Sequence, residues 1–147
     1  MAEINWSGWT DWANLVSLES ASFPENPGTY AVSIGRPIQR LLGIDNNGLL
    51  DVGESGNLRE RIDKFRGAIG GDRNTAHSAG RRFSMFLNPH FPLSSLKIRW
   101  ITHATKDEAK LLESQLLTFY LRCHGELPPL NTKFNWKYIR ESAPRKA

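Results

Sequence analysis

The chain has 147 residues and a formal charge of +4, from 19 Lys and Arg against 15 Asp and Glu, a length that suits one domain with a modest core. Hydrophobic residues at 39% and charged residues at 23% give the composition of an ordinary globular protein rather than a disordered or fibrous chain. No apolar run approaches the roughly 20 residues of a membrane-spanning helix, and the opening MAEINWSGWTDW lacks a basic start and an apolar core, so no membrane partner and no signal peptide are expected and a cytoplasmic protein is the default.

Residues 1–22 read as an N-terminal extension packed on the domain. Trp6, Trp9, Leu15 and Val16 fall on one face of a short helix, with Trp12 at its edge. These tryptophans either pack on the main domain or stack on bases. PENPG at 24–28 breaks the chain. GTYAVSI (28–34) then alternates, with Tyr30, Val32 and Ile34 on one face, and reads as a strand. After the turn DNNG at 45–48, LLDVGES (49–55) reads as a second strand, and the two make a hairpin.

Asn57 or Ser55 caps a helix, NLRERIDKFRGAI, whose apolar stripe is Leu58, Ile62, Phe65 and Ile69. GGDRNT (70–75) ends it, and HSAGRRFSMFLNPHF (77–91) gives a short helix stopped at Asn88-Pro89. LKIRWIT (96–102) is a third strand. TKDEAKLLESQLLTFYLRCHG (105–125) is the clearest helix, with a capping box from Thr105 to Glu108 and a stop at Gly125. Cys123, the single cysteine, reads as an inert thiol near its end. Beside His124 it falls short of the four ligands of a zinc site. LPPLN (127–131) runs extended, and residues 132–147 form a basic C-terminal extension. Residues 23–131 are thus expected to fold as an α+β domain with a small central antiparallel sheet, of about three strands, flanked by helices.

Two helices carry a charge beside the apolar seam. Ala109, Leu112, Leu116 and Tyr120 face the core, and Glu113 lies four residues from both Ala109 and Leu117. Arg61 follows Leu58 by three and precedes Phe65 by four. A charge placed there is costly unless it has a partner or a task. One reading is an ordinary ion pair, even between Glu113 and Arg61. The other is phosphodiester chemistry, with the carboxylate on a divalent metal and the arginine on a phosphate. Basic residues gather at Arg59, Arg61, Lys64 and Arg66, at Arg73, Arg81 and Arg82, and at Lys133, Lys137, Arg140, Arg145 and Lys146. With a pI near 9.5 this suits a polyanionic partner.

Taken in order, these segments resemble the GIY-YIG nucleases. GTY (28–30) resembles the first motif, DVG (51–53) the second, and GESGNLRERI (53–62) the segment leading to the essential arginine, here Arg61. EAKLLESQLL (108–117) resembles the glutamate helix, with Glu113 at the metal-ligand position, and PPLN (128–131) the closing segment that ends in Asn131. The resemblance covers residues 26–131. It implies a GIY-YIG-like fold and a Mg²⁺- or Mn²⁺-dependent endonuclease acting on nucleic acid, with DNA as the expected partner. It also implies that Glu113 holds the metal, Tyr30 positions the attacking water, Arg61 clamps the scissile phosphate, and Asn131 sets Glu113 or the phosphate. Arg59, Lys64, Arg81, Arg82, Lys133 and Lys137 would hold flanking phosphates. Whether two chains pair as a homodimer to cut two strands is left open.

Three positions depart from the family pattern: Asp51 replaces a tyrosine, Glu54 a lysine, and Phe65 a tyrosine or histidine. His77 either relays a proton or is a surface loop residue. Asp51 either orients a water or supports the metal, or is a hydrogen-bonded strand residue. His90, His103 and Glu108 read as structural. Two other functions compete: a module of the same fold that binds nucleic acid without cutting it, and a protein-interaction domain displaying its N-terminal tryptophans.

Overall fold

Alternating side chains build the sheet. In the computed structural model, which describes residues 3–72 and 77–133, the strands are β1 (Ala13–Asn14), β2 (Gly28–Ser33), β3 (Ile38–Arg40), β4 (Gly43–Asp45), β5 (Leu49–Ser55) and β6 (Lys97–Thr102). The helices are α1 (Leu58–Ile69), α2 (Ser78–Arg82) and α3 (Lys106–His124). The architecture is α+β. Among the described residues, four strands form an antiparallel sheet in the order β1-β6-β2-β5, and β3 and β4 form a separate two-stranded ribbon. None of the described helices is long and apolar enough to cross a membrane.

The register places Tyr30 between Gly53 and Trp100, and Val32 between Asp51 and Ile98. One face of the sheet packs Tyr30, Val32, Leu50 and Ile98 against Leu58, Ile62, Phe65 and Ile69 of α1. The other packs Ala31, Leu49 and Val52 against Leu116, Leu117 and Tyr120 of α3. Each fully buried side chain of this size stabilises the fold by about 1.5–3 kcal/mol. The helix starts follow the expected chemistry. Asn57 Oδ1 accepts the Glu60 N–H at 3.1 Å, and Thr105 Oγ1 accepts the Glu108 N–H at 3.2 Å. Gly125 ends α3 with φ 74°, a left-handed conformation that glycine adopts without strain.

Two expectations are corrected. The N-terminal segment is not a helix. Its backbone follows the open edge of β6 instead: Thr10 N–H donates to Trp100 O at 2.9 Å and Leu15 N–H to Leu96 O at 3.0 Å. That added strand brings the sheet to four rather than three. Gly8, at φ 84°, turns the chain where a helix would have continued. Trp6 packs edge-on to Trp9 and Trp12, and the Arg99 guanidinium lies 4.6 Å and 4.7 Å from the rings of Trp6 and Trp12. Of the two readings of these tryptophans, the fold shows packing.

The connection between β2 and β5 is also more than a turn, because the β3–β4 ribbon is inserted before DNNG. Asp45 fastens that turn. Its buried carboxylate accepts the N–H of Asn47 and of Leu49 and the hydroxyl of Tyr120 on α3, each at 2.8 Å.

Candidate active site

The edge strand β5, the first turns of α1 and α2, and the middle of α3 surround an open cavity of about 260 Å³. Tyr30 reaches it from β2. Its ring lies over Gly53 of the neighbouring strand, where a Cβ would overlap the phenol. Gly53 is therefore what lets Tyr30 reach the cavity.

Tyr30 Oη is 3.0 Å from His77 Nε2. His77 is buried, not a surface loop residue. It caps α2, with Nδ1 accepting the Gly80 N–H at 3.1 Å. A nitrogen that accepts cannot carry the ring proton, so in the neutral imidazole the proton sits on Nε2 and is donated to Tyr30 Oη. Burial and the Arg61 and Arg82 guanidiniums push the His77 pKa down to about 3, which keeps the ring neutral. The Phe65 ring stands edge-on to it at 4.6 Å. Phe65, a departure from the family pattern, thus supports the histidine.

Charge of both signs is crowded around this pair. Asp51 is buried opposite Val32 on β5. Burial drives its pKa up to about 6, against the pull of Arg61, Arg82 and the Tyr30 hydroxyl. Glu113 sits one turn after Ala109, whose carbonyl accepts the Thr29 hydroxyl at 3.0 Å and so fastens α3 to β2. Its carboxyl is pushed up to about 8, first by burial, then by Glu54 and Asp51, with Arg61 and Lys110 opposing. Burial and then Asp51 raise the Tyr30 phenol well above its usual value. Among the described residues, Arg61 and Glu113 are not joined to each other by an ion pair. Glu54 Oε2 and the Nε atoms of Arg61 and Arg82 are buried without a hydrogen-bond partner, and all three residues line the cavity.

Asn131 lines the cavity, but both ends of its amide are already bonded. Oδ1 accepts the Val52 N–H at 2.9 Å and Nδ2 donates to Val52 O at 2.8 Å. The side chain continues the ladder of β5 and fixes the segment after α3, which makes it a positioning residue rather than a contact to Glu113 or phosphate. Arg82 Nη2 donates to Leu130 O and ties α2 to that same segment.

Of the basic residues expected on flanking phosphates, Arg82 and Lys133 line the cavity. Lys64 lies in the adjoining groove with Arg61, where it pairs with Glu60 at 3.0 Å. Lys106 also lines that groove and was not singled out from the sequence. Arg59 is held elsewhere, by Phe23 O and Glu25 at 2.8 Å each. Arg81 lines a larger cavity of about 600 Å³ between the end of α1 and the helix that follows it. Lys137 and the rest of the basic extension after Lys133 lie outside the described residues, as does Arg73. The larger cavity has few convergent polar groups, whereas the smaller one gathers two arginines and three carboxyl groups.

No protein-family model, no curated protein and no solved structure matches this chain.

Among the described residues, no three His, Cys, Asp or Glu side chains converge to hold one ion. A site of one or two carboxylates still suits Mg²⁺, which keeps several waters and takes substrate oxygens as ligands. The partnerless oxygen of Glu54 and the mutual repulsion that lifts Glu113 fit a divalent cation there.

The carboxyl shift has a measurable consequence in the metal-free protein. Glu113 keeps its proton up to about pH 8 when folded, against an ordinary value of 4.5. Between those values the folded state binds more protons than the unfolded state, so stability falls as pH rises through that window. Glu113→Gln removes the titration. In EDTA, the variant is expected to gain on wild type in unfolding free energy as pH rises from about 5 to about 9, by roughly 2 kcal/mol after allowance for solvent screening, read as a rising difference in melting temperature. Parallel melting curves across that range would refute the coupling.

Proposed function

We propose that this protein is a GIY-YIG-type, metal-dependent endonuclease that hydrolyses phosphodiester bonds, with DNA as substrate. One observation carries the reading: Tyr30, Arg61 and Glu113, from three separate elements, line a single cavity. The likeness in motif order adds to it. So does the balance of two arginines against three carboxylates, which suits a phosphate and a divalent cation together.

Arg61 and Arg82 bind and orient the phosphate. Glu113, with Glu54 beside it, would hold Mg²⁺ or Mn²⁺. When bound, the ion polarises a phosphate oxygen and offsets the charge growing on the leaving oxygen. His77 donates to Tyr30 Oη and holds the phenol against the attacking water. The water's proton passes to Tyr30 Oη as the phenol's own proton passes to Asp51, the group whose pKa of about 6 suits it as acceptor near neutrality. The P–O bond to the water oxygen forms as the bond to the leaving sugar oxygen breaks. Asn131 positions β5, and Phe65 positions His77.

A second reading, binding without cutting, is favoured by Asp51 and Glu54, which bring negative charge to positions where the family has a tyrosine and a lysine. The interaction-domain reading has less support, because Trp6, Trp9 and Trp12 are partly buried against the sheet. Incubation with supercoiled plasmid decides between the first two. Nicked circles are expected with Mg²⁺ or Mn²⁺ and none in EDTA. Binding without cleavage of plasmid, branched DNA, single strands or RNA would establish the second reading.

A further inference from the structure

Met85 and Phe86 are neighbouring large apolar side chains exposed by 70% and 63%. They lie on a π turn, Phe83–Leu87, that continues α2 and closes with Asn88 N–H donating to Phe83 O at 2.8 Å. Such turns are rare and concentrate at functional sites. Buried Phe83 anchors the turn in the core, so the two exposed side chains stand on a fixed base rather than a loose loop.

Their position relative to the arginines is informative. Phe86 follows Arg82 by four residues and Met85 follows Arg81 by four, so each apolar side chain stands about one turn beyond an arginine on its own side of the helix. Arg82 lines the cavity that holds Arg61 and Glu113, and Arg81 and Met85 line the larger cavity beside it. Residues 77–91 contain no Asp or Glu. An apolar protein groove that covered Phe86 would lie against the Arg82 guanidinium, whose Nε is buried without a hydrogen-bond partner among the described residues. Nucleic acid satisfies both kinds of group, with a phosphate for Arg82 and base faces for the apolar side chains.

We propose that Met85 and Phe86 form a wedge that enters a base step of the DNA whose backbone lies against Arg61 and Arg82. The proposal rests on the nuclease reading and names a substrate class for it. Wedging unstacks a step and bends the duplex, so DNA in which a bulge has already broken the stacking is bound more tightly than a perfect duplex.

The test uses Glu113→Ala protein in EDTA, so that no cleavage intervenes, with a fluorescent perfect duplex and the same duplex carrying one bulged nucleotide. The bulged DNA is expected to bind about ten-fold more tightly. Adding Met85→Ser and Phe86→Ser together should bring the ratio to about one while leaving the salt dependence set by phosphate contacts unchanged. Phe86→Trp should retain the preference. Each single serine variant should lower the ratio, which keeps the test open if the double variant melts early. Equal binding of both duplexes by the parent protein, or a ratio that survives the serine substitutions, overturns the wedge and leaves the nuclease reading standing. An unchanged ratio with an altered sedimentation coefficient of the free protein would assign the patch to a second copy of the chain. A folded parent protein that binds neither duplex at low salt overturns the nuclease reading itself.

Discussion

Glu113→Ala is expected to lower metal-dependent cleavage by about 10³-fold or more, while the protein folds and binds DNA in EDTA at least as well as wild type. The asymmetry follows from the side chain's surroundings. Glu113 stands on the rim of the apolar face of α3, only partly buried, so its loss opens no large cavity. Without metal it keeps its proton up to about pH 8, raised first by burial and then by Glu54 and Asp51, so near neutrality its removal takes no charge from the cavity and leaves the approach of a phosphate unhindered. What disappears is the carboxylate that would hold the cation. Rates in saturating Mg²⁺, with circular dichroism and a binding isotherm on the same preparation, separate the two effects. A variant that cuts at the wild-type rate would show that the cation is held elsewhere.

The helices were legible in the sequence because their signals are local. Thr105, Glu108 and Gly125 bracket α3, and Asn57 caps α1, each through bonds spanning only a few residues. Periodicity also placed Arg61 and Glu113 beside their seams, since a helical wheel fixes the angle between a charge and its apolar neighbours. The N-terminal segment misled for the same reason. Trp6, Trp9 and Trp12 recur every three residues, close to a helical period, but the backbone groups around them are taken up by β6, 80 or more residues away. An open sheet edge is a property of the assembled fold, and no local pattern announces it.

The site was legible in its members more than in their tasks. His77 opens a segment that reads as a short helix, but its burial depends on Phe65 and Tyr30 closing over it from two other elements. Its tautomer depends on an α2 backbone N–H that exists only once the helix has formed. Asn131 follows Pro128 and Pro129 as the motif order implies, yet its amide is used up on Val52, 79 residues earlier in the chain. Asp51, Glu54 and Phe65 looked like separate departures from a family pattern. In the fold they are linked: two carboxylates raise the Glu113 pKa, and the phenylalanine braces a histidine bonded to Tyr30.

Arg61 should be the least replaceable cation of the site. Its guanidinium acts on Tyr30, Asp51, His77 and Glu113, lowering the pKa of each. Arg61→Ala is expected to lower cleavage by about 10³-fold and, unlike Glu113→Ala, to weaken DNA binding in EDTA, because the group that meets the phosphate is gone. Without its field the Asp51 and Glu113 carboxyls rise further, so whatever activity remains should move to higher pH. Arg61→Lys separates contact from charge. It keeps a cation near the carboxylates but not the planar fork that holds two phosphate oxygens at once. DNA binding should recover most of the way and cleavage only in part. Single-turnover rates for the three proteins across pH 6 to about 9, with binding measured in EDTA, give both readouts. Wild-type cleavage by Arg61→Lys would reduce the residue to a background charge, and Arg61→Ala cutting within about ten-fold of wild type would remove it from the mechanism.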